Sequence, residues 1–205
     1  MLGIMTNLAD FIHQSYVAPR RVRILAAHVA PLLPEKARVL DVGCGAGEVS
    51  QAILGLRPDL HLEGAEVLLR GKPLIKVSAY DGRRLPFANK SFDAVLFVDV
   101  LHHTDDPAQL LREAGRVAAK CVVIKDHTAE GLFAFATLRF LDWVGNARHG
   151  VALPYNYWRR SQWTQELQQA HLFPVVWNTR LGLYPWPASA LFDRTLHFVT
   201  QLTVE

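Results

Sequence analysis

The chain is short of several features that mark particular protein classes. It has two cysteines, Cys44 and Cys121, in 205 residues. Their placement suits neither a zinc ligand set nor a disulfide framework, so a reducing, cytoplasmic setting is expected. No run of about 20 apolar residues occurs, so no spanning helix and no integral membrane contact are expected. The first seventeen residues are fairly apolar but lack a basic start and carry Asp10 and His13, and they do not read as a signal peptide. Charge is thin: the net value is +3, without a dense Lys/Arg block. Arg20, Arg21 and Arg23 form the tightest cluster and read as a solvated helix face, so no nucleic-acid partner is expected. Internal repeats and low-complexity segments are missing. No spacing of His, Asp and Glu forms a clear ligand set, so no metal is expected.

Half of the residues are apolar, enough for a sizeable core in one domain. Within residues 1–205, four parts follow: an N-terminal helical cap at 1–35, a cofactor-binding core at 36–127, a helix and substrate-pocket insertion at 128–170, and late strands at 171–205. Apolar spacing makes Leu8 to Leu33 helical, broken by Pro19. Strands are expected at 38–42, 60–67, 74–79, 92–98 and 121–125, and helices at 48–56 and 107–119, with a short helical piece around Val67 to Gly71. Gly131 to Val144 reads as an apolar, aromatic helix with a buried face, and Trp143 and Trp163 as core. Ser161 is the expected cap of a helix reaching Ala170. Late strands are expected at 173–179 and 196–203. Alternating strands and helices give an α/β fold: a Rossmann-like, doubly wound, mostly parallel seven-stranded sheet with helices on both faces.

The segment Val39-Leu40-Asp41-Val42-Gly43-Cys44-Gly45-Ala46-Gly47 carries the most information. An apolar strand ends in an acid, a glycine loop follows, and a helix starts at Glu48. This is where open α/β sheets bind nucleotide-like ligands. A dinucleotide fingerprint reads G-x-G-x-x-G, whereas this loop reads G-x-G-x-G and places Glu48 where the third glycine would stand. A carboxylate there repels a pyrophosphate but tolerates a sulfonium cation with an amino-acid tail, which disfavours a nicotinamide dehydrogenase. Four acids, Asp41, Glu66, Asp81 and Asp99, fall at the ends of the first four strands. Stability explains such a series poorly, because buried charges are costly without partners. A shared cationic ligand explains all four.

The loop resembles the first motif of the class I S-adenosylmethionine (SAM) dependent methyltransferases. Leu85-Pro86-Phe87, Ser91-Phe92-Asp93 and Asp99-Val100-Leu101-His102-His103, with Leu110 and Arg116-Val117 beyond, resemble the ubiquinone/menaquinone C-methyltransferase-type branch over residues 36–127. The resemblance implies SAM as cofactor and S-adenosylhomocysteine as product. It implies that Gly43, Cys44, Gly45 and Gly47 pass the methionine portion and that Asp41 lies beneath them near the amine. Glu66, followed by Val67, would take the ribose hydroxyls, Asp81 with Gly82 the adenine amino group, and Asp99 and Leu101 would border the methyl donor. Glu66 alternatively reads as a surface acid, Asp81 as a turn residue, and Asp93 as a structural acid at the start of its strand.

Methyl transfer from a sulfonium needs alignment first, and a base helps where the acceptor carries a proton. His127, His103 and Asp126 are the candidate catalysts, alongside the alternative that positioning suffices. Asn146, His149, Tyr155, Asn156, Tyr157 and Arg159 are candidate pocket residues, and their aromatic content suggests a small, apolar or aromatic acceptor. An Asn-Pro-Pro-Tyr amino-methylation motif is missing at the fourth strand, which weakens a nucleic-acid or protein substrate. A SAM-binding module without turnover, a lipid acceptor with peripheral membrane contact, and a homodimer stay open.

Overall fold

The computed structural model describes residues 18–69, 71–146, 154–193 and 195–205. The expected helical residues 8–17, together with His149, lie outside them. Seven strands form one sheet: β1 Arg38–Val42, β2 His61–Glu66, β3 Val77–Ala79, β4 Phe92–Val98, β5 Ala118–His127, β6 Leu172–Asn178 and β7 His197–Val204. Their order is β3-β2-β1-β4-β5-β7-β6. β1 pairs in parallel with both β2 and β4, so the strand order reverses there. β7 alone is antiparallel, inserted between β5 and β6. The expected fold holds, with this one reversed strand.

Alternation along the inner strands explains the two layers of helix. Leu40, Phe97, Val122 and Ile124 pack on one face with Leu110, Leu111 and Val117 of α3 (Pro107–Val117) and Trp163 and Leu167 of α5 (Arg160–Gln169). Val39, Leu96 and Val123 face the other way, onto Ala26 and Val29 of α1 (Ala18–Val29) and Ile53 of α2 (Glu48–Leu56). Strands buried on both faces are apolar at most positions, which is why 92–98 reads as a near-continuous run interrupted only by Asp93. α4 (Ala134–Asn146) follows β5, and a short helix α6 (Ala188–Phe192) precedes β7.

Several local expectations are corrected. No helix forms at Val67 to Leu69, because the Glu66 carboxylate accepts the backbone N–H of Val67 (2.8 Å) and Leu68 (3.3 Å) and holds a turn. β3 starts at Val77 rather than Leu74, whose N–H is drawn to Ala46 O of the glycine loop at 2.8 Å. Ser161 does not cap α5. The cap falls two residues earlier, at Arg159, where Glu130 accepts the Arg160 N–H at 2.7 Å and Gln162 that of Arg159 at 2.9 Å. Trp163 is core, and the helix at 134–146 buries a face through Ala134, Leu138 and Asp142, but Trp143 is 57% exposed rather than core, and Phe140 in the helix and Leu132 and Phe133 before it are over half exposed. The Arg20–Arg23 cluster is not simply solvated: Arg21 turns inward to pair with Asp99.

Candidate SAM site and the adjoining histidine cluster

The glycine loop sits at the carboxyl end of β1, at the point where strand order reverses. Gly43 (φ +72°) is required sterically, since a Cβ there would come within 2.7 Å of the Val100 side chain. Gly45 (φ +57°) differs: a Cβ would meet nothing within 4 Å, so this part of the loop faces open space. Glu66, at the end of β2, accepts the Gly45 N–H at 2.7 Å and thereby ties the two strand ends together. Gly47 caps α2 in the left-handed region. Cys44 packs against Gly64, where a Cβ would collide with its sulfur at 2.3 Å. Burial pushes the Cys44 thiol up to about 12, aided by Asp41 and Glu66, so it stays neutral.

Asp41 is 2% exposed beneath this loop. One carboxylate oxygen accepts the Ser50 hydroxyl. The other, Oδ1, is buried and has no hydrogen-bond partner among the described residues. Burial pushes the carboxyl up to about 7, with Glu66 adding repulsion against the Ser50 bond. An orphaned acidic oxygen beside an open glycine backbone suits a ligand that brings a cation, and the ammonium of SAM is such a group.

Asp81 behaves as a turn residue: it accepts the N–H of Arg83 and Arg84 at 2.8 Å each. An open groove of about 550 Å³ runs beside it, lined by Tyr80, Arg84, Leu85, Pro86 and Phe87. Gly82 (φ +80°) sits against Val67 in the same loop.

Beyond β4 and β5 lies a buried polar cluster. Asp99, at φ +57°, is held between Lys125 and Arg21. Burial opposes its charge, but these two cations outweigh it and hold the carboxyl well below the usual range. Lys125 is fully buried in β5, and burial pushes its ammonium down to about 8. Its Nζ also lies 3.4 Å from His197 Nδ1. Asp126 accepts from His102 Nδ1 (2.6 Å) and the Leu101 N–H (3.0 Å). His127 Nδ1 is 3.2 Å from the same carboxylate, and its Nε2 is 3.8 Å from Asp99. Burial, then Lys125 and His102, push His127 down to about 4. Burial works against a charge on His102 too, but Asp126 overcomes it and raises that imidazole to about 9. His103 is lowered by burial and by His102. Tyr157 stacks on His102 at 5.6 Å and donates to Asp142 at 2.6 Å.

The structure therefore brings His103, Asp126, His127 and Tyr157 together and leaves other candidates apart. Asn156 is a staple: its side chain donates to Thr104 O at 2.6 Å and its N–H to His102 O. Tyr155 lies at the cluster edge, beneath the Arg139 guanidinium. Arg159 is exposed at the head of α5. Asn146 ends α4. Leu101 is buried, its N–H on Asp126. Sequence reasoning missed Arg21, Lys125, His102 and Asp142 as members of the cluster. Lys125 had a signal, a single cation ending an apolar strand beside another strand that ends in Asp99.

A family profile described as a methyltransferase domain matches residues 11–173. The chain belongs to the class I SAM-dependent methyltransferases. An uncharacterized methyltransferase of Mycobacterium tuberculosis is 30% identical over 179 residues, 73% of this chain and 70% of that one. The demethylmenaquinone methyltransferase of Renibacterium salmoninarum is 38% identical over 103 residues, 48% of this chain and 43% of that one. Among solved structures, a 1,6-didemethyltoxoflavin-N1-methyltransferase of Burkholderia thailandensis, with S-adenosylhomocysteine bound, has the same fold. Its TM-score is 0.63 at 17% identity, covering 98% of this chain and 87% of that one. The chain spans about half the length of the first curated relatives it matches. Among the described residues no helix is long and apolar enough to cross a membrane.

Proposed function

We propose that this methyltransferase acts on a small, apolar or aromatic acceptor held beside the histidine cluster. The observation that carries the reading is the convergence of His103, His127 and Tyr157 next to Asp99 at the carboxyl ends of β4 and β5. Bound SAM supplies a methyl group on a positively charged sulfur. The chain's own residues then hold and align. Asp41 receives the ammonium on its unpartnered Oδ1, Gly45 admits the chain of the ligand without a side chain in the way, and Glu66 meets the ribose. Asp81 and Gly82 border the adenine groove, and Leu101 backs the methyl donor. Alignment alone supplies about 7–11 kcal/mol of barrier lowering. His127 and His103 are the groups placed to meet a proton on the acceptor. Asp126 touches neither ligand and acts as a positioning residue, fixing the rings of His102 and His127.

The named substrates of two similar proteins, a demethylated menaquinone and a didemethylated toxoflavin, support a flat, aromatic acceptor class. Two unpaired thiols, Cys44 and Cys121, suit a reducing cytoplasm. The test is transfer of radiolabelled methyl from SAM to a panel of quinols, phenols and aromatic N-heterocycles. Labelled product from one such class, lost in Tyr157→Ala, is expected. Label appearing only in lipid extract, protein or RNA would replace this reading. The exposed Leu132, Phe133, Phe140 and Trp143 favour the lipid among those replacements, and flotation with liposomes separates it.

A further inference from the structure

We infer that His102, His103 and Asp142 form a binding site for one divalent transition-metal ion of the zinc class. His102 Nε2 is 3.5 Å from Asp142 Oδ1, and His103 Nε2 is 3.4 Å from the same oxygen. The three ligand atoms all lie within 4.8 Å of one another. Zinc bonds of about 2.0–2.1 Å in a tetrahedron put neighbouring ligand atoms about 3.3–3.4 Å apart. The two measured edges fall close to that length and are long for hydrogen bonds.

Two further observations point to a ligand. His102 is 1% exposed, yet its Nε2 makes no hydrogen bond of ordinary geometry among the described residues, only the long 3.5 Å approach to Asp142. A buried imidazole nitrogen without a partner is costly unless something fills the position. The opposite nitrogen, Nδ1, lies 2.6 Å from Asp126. That is the carboxylate–histidine arrangement that fixes the tautomer and raises the basicity of a metal-binding imidazole. On the other side Tyr157 donates to Asp142 Oδ2 at 2.6 Å, and Oδ1 is the oxygen that approaches the two histidines. Outer partners are thus in place on His102 and Asp142, while the Nδ1 of the third ligand, His103, has no hydrogen-bond partner among the described residues.

A second grouping shares His102, through His102 Nδ1, Asp126 and His127. It is less suited. Asp126 Oδ1 already accepts from His102 at 2.6 Å and from the His127 N–H at 2.8 Å, so these atoms satisfy one another. The favoured set supplies three ligands among the described residues, the number found in catalytic rather than structural zinc sites, which leaves a position for a water or an acceptor atom. An ion there would bind an oxygen or nitrogen of the acceptor and lower its pKa.

The test is metal binding by the full chain without SAM, so its outcome is independent of the methyl-transfer reading. Chelator-stripped protein is titrated with Zn²⁺ by calorimetry, and Co²⁺ is added separately to record its visible spectrum. One ion per chain and the intense bands of tetrahedral cobalt are expected. His103→Gln, at a partly exposed position, and Asp142→Asn should each weaken binding about a hundredfold, and Tyr157→Phe about tenfold. His127→Gln should leave affinity within about threefold, and far-ultraviolet circular dichroism checks that each variant folds. Failure of the folded wild type to bind a stoichiometric ion, or unchanged affinity in both His103→Gln and Asp142→Asn, overturns the assignment.

Discussion

Asp41 makes a pH dependence that can be worked through in advance. The perturbation is Asp41→Asn. In the folded apo protein burial raises the carboxyl from its ordinary 3.8 to about 7. A group whose pKa rises on folding contributes stability in full below its unfolded value and loses that contribution as pH climbs to the folded value. Asp41 therefore costs nothing at about pH 4 and its full penalty by about pH 7. At about 1.36 kcal/mol per pH unit the penalty is on the order of 4 kcal/mol. For a chain of this size about 1 kcal/mol moves Tm by roughly 2–4 °C, so the pH-dependent difference reaches roughly 8–16 °C. Asparagine has almost the same shape, accepts the Ser50 hydroxyl and never ionises. Melts of both proteins at pH 5 and pH 8 without SAM give the test. About 1.6 kcal/mol of the penalty is already in place at pH 5, so between pH 5 and pH 8 the variant's Tm relative to wild type should rise by the remaining ~2.6 kcal/mol, roughly 5–10 °C. With saturating SAM the order should invert at pH 8, because the ammonium then compensates the wild-type charge. Parallel pH profiles for the two apo proteins would refute the reasoning.

The other predictions are shorter. Asp99→Ala strands the fully buried Lys125 and should destabilise by about 3–5 kcal/mol in denaturant melts, with Asp99→Ala/Lys125→Met recovering most of it. Gly43→Ala should lower stability by about 1–3 kcal/mol through its Val100 clash at positive φ, whereas Gly45→Leu should leave the apo protein folded and block SAM in calorimetry. Trp163→Phe loses the Nε1–H bond to His127 O, 2.9 Å long and buried, and should cost about 1–3 kcal/mol by thermal denaturation.

The sheet was legible because its strands are buried on both faces. Phe92–Val98 and Arg38–Val42 have the bounds that their apolar runs suggest, and Pro107 marks the start of α3. The glycine spacing and Asp41 pointed to the ligand because only a backbone at positive φ and an acid beneath it serve such a loop. Less legible was anything assembled from distant segments. Arg21 meets Asp99 across 78 positions and Lys125 meets His197 across 72, and no local periodicity encodes either pair. Asp142 is the lone acid of an apolar helix and His102 stands just past a strand end, and nothing local to either places Tyr157 and Asp126 beside them. The α4 surface misled for a related reason: an apolar composition is silent about how much of a helix finds a partner. Asp81 takes the turn reading, accepting the N–H of Arg83 and Arg84, and stands beside an open groove.

Titration calorimetry with SAM and with S-adenosylhomocysteine, on wild type and on Glu66→Ala, tests the central claim most directly. Micromolar binding of both by wild type, weakened at least tenfold in Glu66→Ala, is the predicted result. Well-folded wild-type protein that binds neither would contradict it and assign the glycine loop to another ligand.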